Sequence, residues 1–275
     1  MREIVRPRLA RLGPLPVRRA LPSVDRMMVG PFILMDHGGP TSIDRQQAHG
    51  VGEHPHAGLA TLTYLLADAL IHRDSAGNSA RIEVGDLALM TAGGGITHEE
   101  RPDQEHPSPV HTANFIQMWI ALPERFEDMA PDFEIHRAAD LPSAELPGAR
   151  VTTLIGSAWG LRAPTTTYSE TVLADLVCAP DSVVPIEAHA EERAIYLLEG
   201  EARLDGRSLE PQTLVILEGE GVELIDTEGG CRLIVLGGAR FASPPAISGS
   251  FVGSSVIKVA AFQEAYRSGQ FPKMS

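Results

Sequence analysis

The chain has 275 residues, a formal net charge of −13 and 43% apolar residues, enough for one large or two ordinary globular domains. The negative charge argues against direct nucleic-acid binding, which needs a basic surface to displace counterions. No apolar run is long enough to span a membrane, and residues 1–4 lack the apolar core of a signal peptide, so we expect a cytoplasmic protein. Cys178 and Cys231 lie in apolar runs and are expected to be buried free thiols.

The first 50 residues combine basic, proline-rich and apolar segments. Residues 5–22 predict an extended segment, and residues 28–35 predict a strand that ends in a turn at residues 36–40. His37 lies in this turn and is expected to hydrogen-bond to backbone; a fifth metal ligand is the alternative.

Two pairs of polar residues have strand spacing. His54 and His56 are two residues apart, and so are His98 and Glu100. Side chains at i and i+2 share one face of a strand, so two neighbouring strands could aim three imidazoles and one carboxylate at a single point. This donor set suits a divalent first-row transition metal, because calcium and magnesium prefer oxygen ligands. We therefore predict these four residues as metal ligands and expect Glu99 to face the opposite side.

The segments around these pairs predict further strands. Residues 60–66, 69–74, 87–90 and 115–122 are rich in strand formers, and residues 75–78 predict a turn. Three glycines at 93–95 predict a tight turn before His98 instead of a phosphate cradle, because no P-loop lysine follows. The remaining histidines lack partners at ligand spacing and are expected to be structural or on the surface. They are His72, His106, His111 and His136.

The second half repeats the first and predicts two similar β domains. Residues 196–200 resemble residues 64–68, and residues 210–217 resemble residues 83–90. We predict an N-terminal domain at 1–128, a linker at 129–142, a C-terminal domain at 143–240 and a tail at 241–275. The tail joins a Pro/Gly/Ser-rich connection at 243–255 to a helix at 258–268, which Gly269 ends.

The equivalents of the predicted ligands in the second copy cannot bind a metal. They are Ile186, Ala188, Ile225 and Thr227. A one-residue slip would bring Glu187 and His189 into register, but only Asp226 would then lie opposite them. One metal per chain is therefore expected, in the first copy. Short strands at regular spacing indicate an all-β sandwich or barrel.

Several motifs resemble the pirins, a branch of the cupin superfamily, and the resemblance covers nearly the whole chain. The two metal motifs are HPHAG at 54–58 and TAGGGITHEE at 91–100. Shorter matches are DSAGN at 74–78, VRRALPS at 17–23, VGPF at 29–32, MDH at 35–37 and YRSGQF at 266–271. The resemblance implies a bicupin fold, with two facing β-barrels and a C-terminal helix. It also implies one mononuclear iron site in the N-terminal barrel, held by His54, His56, His98 and Glu100.

The chain departs from the usual family motif HPHRGFE by having Ala57, Leu59 and Ala60. Some bacterial pirins resemble quercetin 2,3-dioxygenases, whereas eukaryotic members are linked to iron-dependent regulation of transcription factors. The loss of the arginine at position 57 argues against a regulatory surface of the eukaryotic kind. A glutamate near position 60 supplies the carboxylate ligand of many cupins, and with Ala60 there Glu100 is the remaining carboxylate.

Our first hypothesis is an Fe²⁺ dioxygenase that opens a flavonol-like aromatic substrate with O₂, although other divalent transition metals could occupy the site. Glu100 would act as the general base as well as a ligand. The alternative is an iron-dependent regulatory protein that binds a partner protein and has no turnover. A third hypothesis is a cupin that the metal merely stabilises.

Overall fold

The structure is a computed structural model that describes residues 3–217, 219 and 221–274. The chain divides into two compact units. The N-terminal unit comprises Leu9–Arg19, Ile33–Ala138 and Ser243–Ser275, and the C-terminal unit comprises Met1–Arg8, Ala20–Phe32 and Ala139–Ala242.

Strands form most of the regular structure in both units. The strands of the first half are β1 (Ile4–Val5), β2 (Arg8–Leu12), β3 (Leu15–Leu21), β4 (Phe32–Asp44), β5 (Val51–His56), β6 (Leu59–Ala67), β7 (Leu70–Asp74), β8 (Ser79–Ile82), β9 (Leu87–Thr91), β10 (Ile96–Pro102), β11 (Val110–Ala121) and β12 (Asp132–His136). Those of the second half are β13 (Ser143–Leu146), β14 (Ala149–Ile155), β15 (Ser157–Ala158), β16 (Leu161–Arg162), β17 (Thr171–Cys178), β18 (Ser182–Ile186), β19 (Glu192–Gly200), β20 (Arg203–Leu204), β21 (Arg207–Ser208), β22 (Leu214–Leu217), β23 (Glu223–Thr227), β24 (Cys231–Gly238), β25 (Ala246–Ser248) and β26 (Phe251–Gly253). Short 3₁₀ helices lie at Arg45–Gln47 and Glu124–Phe126, and the α-helix α1 is Val256–Arg267.

The N-terminal unit has one large and one small antiparallel sheet. The large sheet has the order β12-β9-β6-β11-β4-β3-β2, and the small sheet has the order β5-β10-β7-β8. Apolar residues from several strands form a buried core cluster, which includes Val17, Leu65, Ile82 and Phe115. The small sheet contains both strands of the predicted metal site.

The C-terminal unit repeats this strand order. Its large sheet is β1-β22-β19-β24-β17-β14-β13 and its small sheet is β18-β23-β20-β21. The core includes Leu176, Ile195, Leu197 and Leu233, and the first described strand, Ile4–Val5, pairs with β22 at its edge. The prediction of two repeated β units is confirmed.

Two segments predicted as a turn and a linker contain strands in the structure. Residues 36–40 were predicted as a turn, but β4 runs through them because its glycines serve close packing. A Cβ at Gly39 would lie 1.9 Å from the Ala113 carbonyl oxygen, and one at Gly38 would lie 2.3 Å from the Phe115 ring. The predicted linker at 129–142 contains β12, which pairs with β9 and packs Phe133 and Ile135 against the core.

The predicted C-terminal helix exists but begins earlier, at Val256. The hydroxyl of Ser255 caps it by accepting a 3.1 Å hydrogen bond from the Lys258 backbone N–H. The predicted connection before it contains β25 and β26. Val259 and Phe262 of the helix pack in a buried cluster with Ala57, directly after His56. Among the described residues, no helix is both long and apolar enough to cross a lipid bilayer.

Candidate metal centre

Three of the predicted ligands come together in the small sheet of the N-terminal unit. His54 and His56 lie on β5, and His98 lies on β10 directly opposite His54. One ring nitrogen from each of the three lies within 4.8 Å of the others. The i, i+2 spacing on β5 and the cross-strand pairing therefore give the convergence that the sequence predicted.

The spacing of the imidazoles fits a shared metal ion. The Nε2 atoms of His98 and His54 are 3.1 Å apart. For nitrogen ligands about 2.1 Å from one ion, this separation corresponds to an N–metal–N angle of about 95°. The ring centroid of His56 lies 4.9 Å from that of His54 and 5.0 Å from that of His98. A divalent transition metal fits this three-histidine set.

Burial keeps these rings in the neutral form that binds metals. The pKa of His56 is held well below its usual value, first by burial and then by repulsion from His54. The pKa of His98 is lowered in the same way, by burial and by the neighbouring imidazoles. Neutral imidazoles have a free lone pair at physiological pH, so protons compete little with a metal at these two positions.

A backbone contact fixes the orientation of the third ring. His54 Nδ1 lies 2.7 Å from the carbonyl oxygen of Gly52. Since a carbonyl oxygen can only accept, Nδ1 carries the proton and Nε2 keeps its lone pair. Such contacts to the non-ligating nitrogen are typical of metal-binding histidines.

Glu100, the predicted fourth ligand, lies outside the three-histidine group. It shares a face of β10 with His98, but the pairing of β10 with β5 shifts by one residue between them, so that Glu100 lies opposite Val51. Its buried carboxylate accepts a 2.7 Å hydrogen bond from the Thr63 hydroxyl. Its coordination of a metal therefore stays a prediction. Glu99 is half-buried, and its carboxylate accepts a 2.8 Å hydrogen bond from the Arg101 guanidinium.

Four of the other histidines contact protein groups outside the three-histidine group. His37 lies within β4 and contacts Asn114 at 3.2 Å; burial lowers its pKa to about 4. It is not a member of the three-histidine group. His106 contacts Arg45 at 3.2 Å, His111 contacts Asp68 at 3.3 Å, and His136 contacts Glu134 at 2.9 Å.

Sequence reasoning missed several residues that surround the histidines. His72 was expected to be structural, but its ring centroid lies 5.3 Å from that of His98. It stacks on Phe133 at 4.2 Å and contacts Asp74 at 3.3 Å. Trp119 meets His56 edge to face at 5.2 Å. The alternation of His72 and Asp74 on a predicted strand was the available signal, but the stacking depends on β12, which was not predicted.

A small, mostly apolar pocket with a cavity volume of about 20 Å³, partly open to solvent, lies beside Glu100. Glu100 lines it, whereas the three histidines do not. Its apolar lining includes Leu12, Leu15, Val51, Leu65, Leu70 and Phe115, and its polar lining comprises Glu100, His111, Asn114 and Gln117. A concave apolar surface with a few polar groups is typical of sites for small organic ligands.

The corresponding strand pair of the C-terminal unit is apolar. On β18 and β23, Val184 lies opposite Ile225, and Ile186 lies next to them on the same face of β18. All three are fully buried. Among the described residues, three-member metal-binding groups occur only at the three histidines of the N-terminal unit. Cys178 and Cys231 are buried free thiols, as predicted.

Comparisons with known proteins agree with this arrangement. Residues 15–120 match the Pirin family and residues 173–272 match the Pirin C-terminal cupin domain. A Pseudomonas aeruginosa protein provisionally named a quercetin 2,3-dioxygenase is 36% identical over 261 residues, which cover 94% of this chain and 80% of that protein. A pirin-like protein of Caulobacter vibrioides is 35% identical over 265 residues, which cover 94% of this chain and 90% of that protein.

The fold also matches solved structures. A crystal structure of quercetin 2,3-dioxygenase from Acinetobacter baumannii superposes with a TM-score of 0.91 and 29% sequence identity. The match covers 100% of this chain and 91% of that one. The bicupin fold predicted from the sequence motifs is thereby confirmed.

Proposed function

The chain belongs to the pirin family, and on that premise we propose that it is a dioxygenase of the quercetin 2,3-dioxygenase type. It would hold one Fe²⁺ per chain and open a flavonol-like substrate with O₂. The observation that carries the proposal is the convergence of three buried imidazoles on the same small sheet as a carboxylate that faces an apolar pocket. The names of one relative and of the Acinetobacter structure support the reaction class.

The three histidines would hold the metal. When bound, Fe²⁺ would act as a Lewis acid toward an enol oxygen of the substrate and as a template that brings O₂ to it. Nitrogen-rich sites also bind nickel and copper, so the metal found after purification would follow availability. Iron is preferred here because the reaction uses O₂.

Glu100 would prepare the substrate. Its carboxylate lines the pocket and is buried, so it can accept the proton of a substrate hydroxyl that enters the pocket. It shares a strand face with His98, and we expect its carboxylate to link the pocket to the metal centre.

The pocket favours an aromatic substrate with hydroxyl groups. Leu65, Leu70 and Phe115 provide apolar contact area, whereas Asn114 and Gln117 offer amide groups that can hydrogen-bond to hydroxyls. A highly charged substrate would lose its hydration here without gaining enough partners. Flavonols and similar enol-bearing aromatic compounds match this chemistry, and the side chains around the pocket would have to move apart to admit one, because the cavity volume is about 20 Å³.

Turnover of quercetin tests the proposal directly. Protein loaded with Fe²⁺ under anaerobic conditions and freed of loose metal is mixed with quercetin in air. We expect the flavonol absorbance to decay together with O₂ uptake, and the metal-free protein to show neither. The regulatory alternative predicts no turnover but iron-dependent capture of a partner protein. Ala57 is fully buried, so position 57 offers no surface to such a partner.

A further inference from the structure

A buried chain of hydrogen bonds links Glu100 to Thr63 and Gln117. The Thr63 hydroxyl lies 2.7 Å from Glu100 Oε1 and 2.9 Å from Gln117 Oε1. Thr63, Glu100 and Gln117 are 3%, 7% and 4% exposed. We propose that Thr63 and Gln117 are positioning residues, which hold one oxygen of Glu100 and leave the other free for the metal centre. This inference rests on the metal site of the proposed function.

The hydrogen count gives the chain a direction. A hydroxyl has one proton and can donate only once. A carboxylate is a stronger acceptor than an amide, so Thr63 donates to Glu100. Gln117 completes the chain when its amide NH₂ group faces the Thr63 oxygen. Every member then has a partner, as buried polar groups require.

The sheet makes this arrangement rigid. Thr63 on β6 and Gln117 on β11 are direct cross-strand partners, and both strands lie inside the large sheet of the N-terminal unit. The backbones of both residues are therefore held by strands on either side, and burial limits the movement of their side chains. Glu100 belongs to the small sheet, so the hydrogen bond from Thr63 ties the carboxylate of one sheet to the framework of the other.

The consequence concerns how Glu100 meets a metal. Because Oε1 already accepts a hydrogen bond from Thr63, Oε2 is the less engaged oxygen, and we expect the carboxylate to bind a metal through Oε2. Gln117 also lines the pocket. Its amide group can therefore contact a bound substrate and, through Thr63, affect the Glu100 carboxylate. Hydrogen-bond partners of metal ligands set ligand orientation, and their loss typically weakens metal binding about 10–100-fold.

Nickel binding tests this inference without turnover. The dissociation constant for Ni²⁺ is measured by calorimetry for the wild type, Thr63→Val and Thr63→Ser. Valine keeps the shape and removes the hydroxyl, and we expect binding about 10–100-fold weaker. Serine keeps the hydroxyl, and we expect it to restore affinity close to that of the wild type. Gln117→Leu should weaken binding less than Thr63→Val, because Thr63 can still donate to Glu100.

A buried threonine of the C-terminal unit provides the control. The Thr165 hydroxyl donates to the Leu154 carbonyl at 2.7 Å, so Thr165→Val also loses a buried hydrogen bond. We expect this variant to lose thermal stability but to bind Ni²⁺ like the wild type. Equal Ni²⁺ affinity in Thr63→Val and the wild type would overturn the inference, and so would a Thr63→Ser variant as weak as Thr63→Val. Failure of the wild type to bind Ni²⁺ would overturn the metal site itself.

Discussion

The two units share a strand order but differ in chemistry at one place. Each unit has a seven-stranded sheet and a four-stranded sheet. The first two strands of the four-stranded sheet, β5 and β10 or β18 and β23, carry three equivalent positions. These are His54, His56 and His98 in the N-terminal unit and Val184, Ile186 and Ile225 in the C-terminal unit. The fold therefore does not depend on the metal-binding histidines, because the same strand pairing occurs with imidazoles in one unit and with aliphatic side chains in the other.

The difference between the two sets of side chains also affects the folding stability of the two units. Val184, Ile186 and Ile225 are fully buried, and each such side chain contributes roughly 1.5–3 kcal/mol to folding. Buried imidazoles gain less from burial, because their nitrogens lose hydration. The three histidines of the N-terminal unit thus stabilise the fold less than the aliphatic side chains at the equivalent positions. We therefore expect substitutions in the N-terminal unit to reduce metal binding and substitutions in the C-terminal unit to reduce stability.

The largest effect is expected at Glu100. In Glu100→Gln the amide oxygen can still coordinate weakly, but it cannot accept a proton at neutral pH. Turnover of quercetin should fall roughly 10²–10⁴-fold while part of the metal is retained. Initial rates and metal content are measured on the same preparation.

Glu99→Gln is the control for this change, because Glu99 bonds to Arg101 instead. It should leave rate and metal content nearly unchanged. Loss of metal in Glu99→Gln but not in Glu100→Gln would show that the assigned strand register is wrong by one residue. If neither variant alters turnover and partner capture changes, the regulatory hypothesis is favoured.

Removing one imidazole should abolish the site but not the fold. His56→Ala leaves two histidines, and metal affinity should fall by more than the roughly 100-fold typical of losing a hydrogen-bond partner of a ligand. The circular dichroism spectrum should be unchanged, because the apolar core of the N-terminal unit does not include His56. Loss of the folded signal together with the metal would show a structural site.

The equivalent change in the C-terminal unit should do the reverse. Ile186 is fully buried, so Ile186→Ala removes apolar contacts and leaves a cavity. The free energy of unfolding should fall by roughly 2–5 kcal/mol, as measured by chemical denaturation, with metal content unchanged. Metal loss in this variant would mean that the two units are not independent at these positions.

A smaller effect is expected from His37 as the pH falls. Its folded pKa of about 4 lies below the ordinary value of 6.5 because the ring is buried. The unfolded chain therefore binds a proton first, and stability is lost as the pH falls from 6.5 towards 4. His37→Gln does not titrate, so its melting temperature should fall less over this interval. The difference should be at most about 3 kcal/mol, and parallel pH curves for both proteins would contradict this role.

The sequence predicted the three-histidine convergence because alternation within a strand is a local property. The apolar replacement in the second copy was also predicted, although the structure gives Val184 in place of Ala188 beside Ile186. Residues 36–40 were wrongly predicted as a turn because their two glycines signal turns as strongly as close packing.

The partners of Glu100 could not be predicted, because they depend on register between distant strands. Thr63 meets Gln117 because β6 and β11 pair in this particular register, and one residue of slip would turn every side chain to the other face. The position of Glu100 also depends on a register shift that the sequence does not reveal, because β10 shifts against β5 after His98. Short edge strands such as Ile4–Val5 likewise carry too little pattern to be assigned to a sheet in advance.

The metal content of the wild-type chain tests the contrast between the two units most directly. Protein loaded anaerobically with Fe²⁺ and freed of loosely bound metal is analysed by inductively coupled plasma mass spectrometry, with protein quantified by amino-acid analysis. One equivalent per chain is expected, since the three histidines of the N-terminal unit form the metal-binding group among the described residues. A value near two equivalents would contradict the loss of the site in the C-terminal unit, and a value near zero would contradict the site in the N-terminal unit.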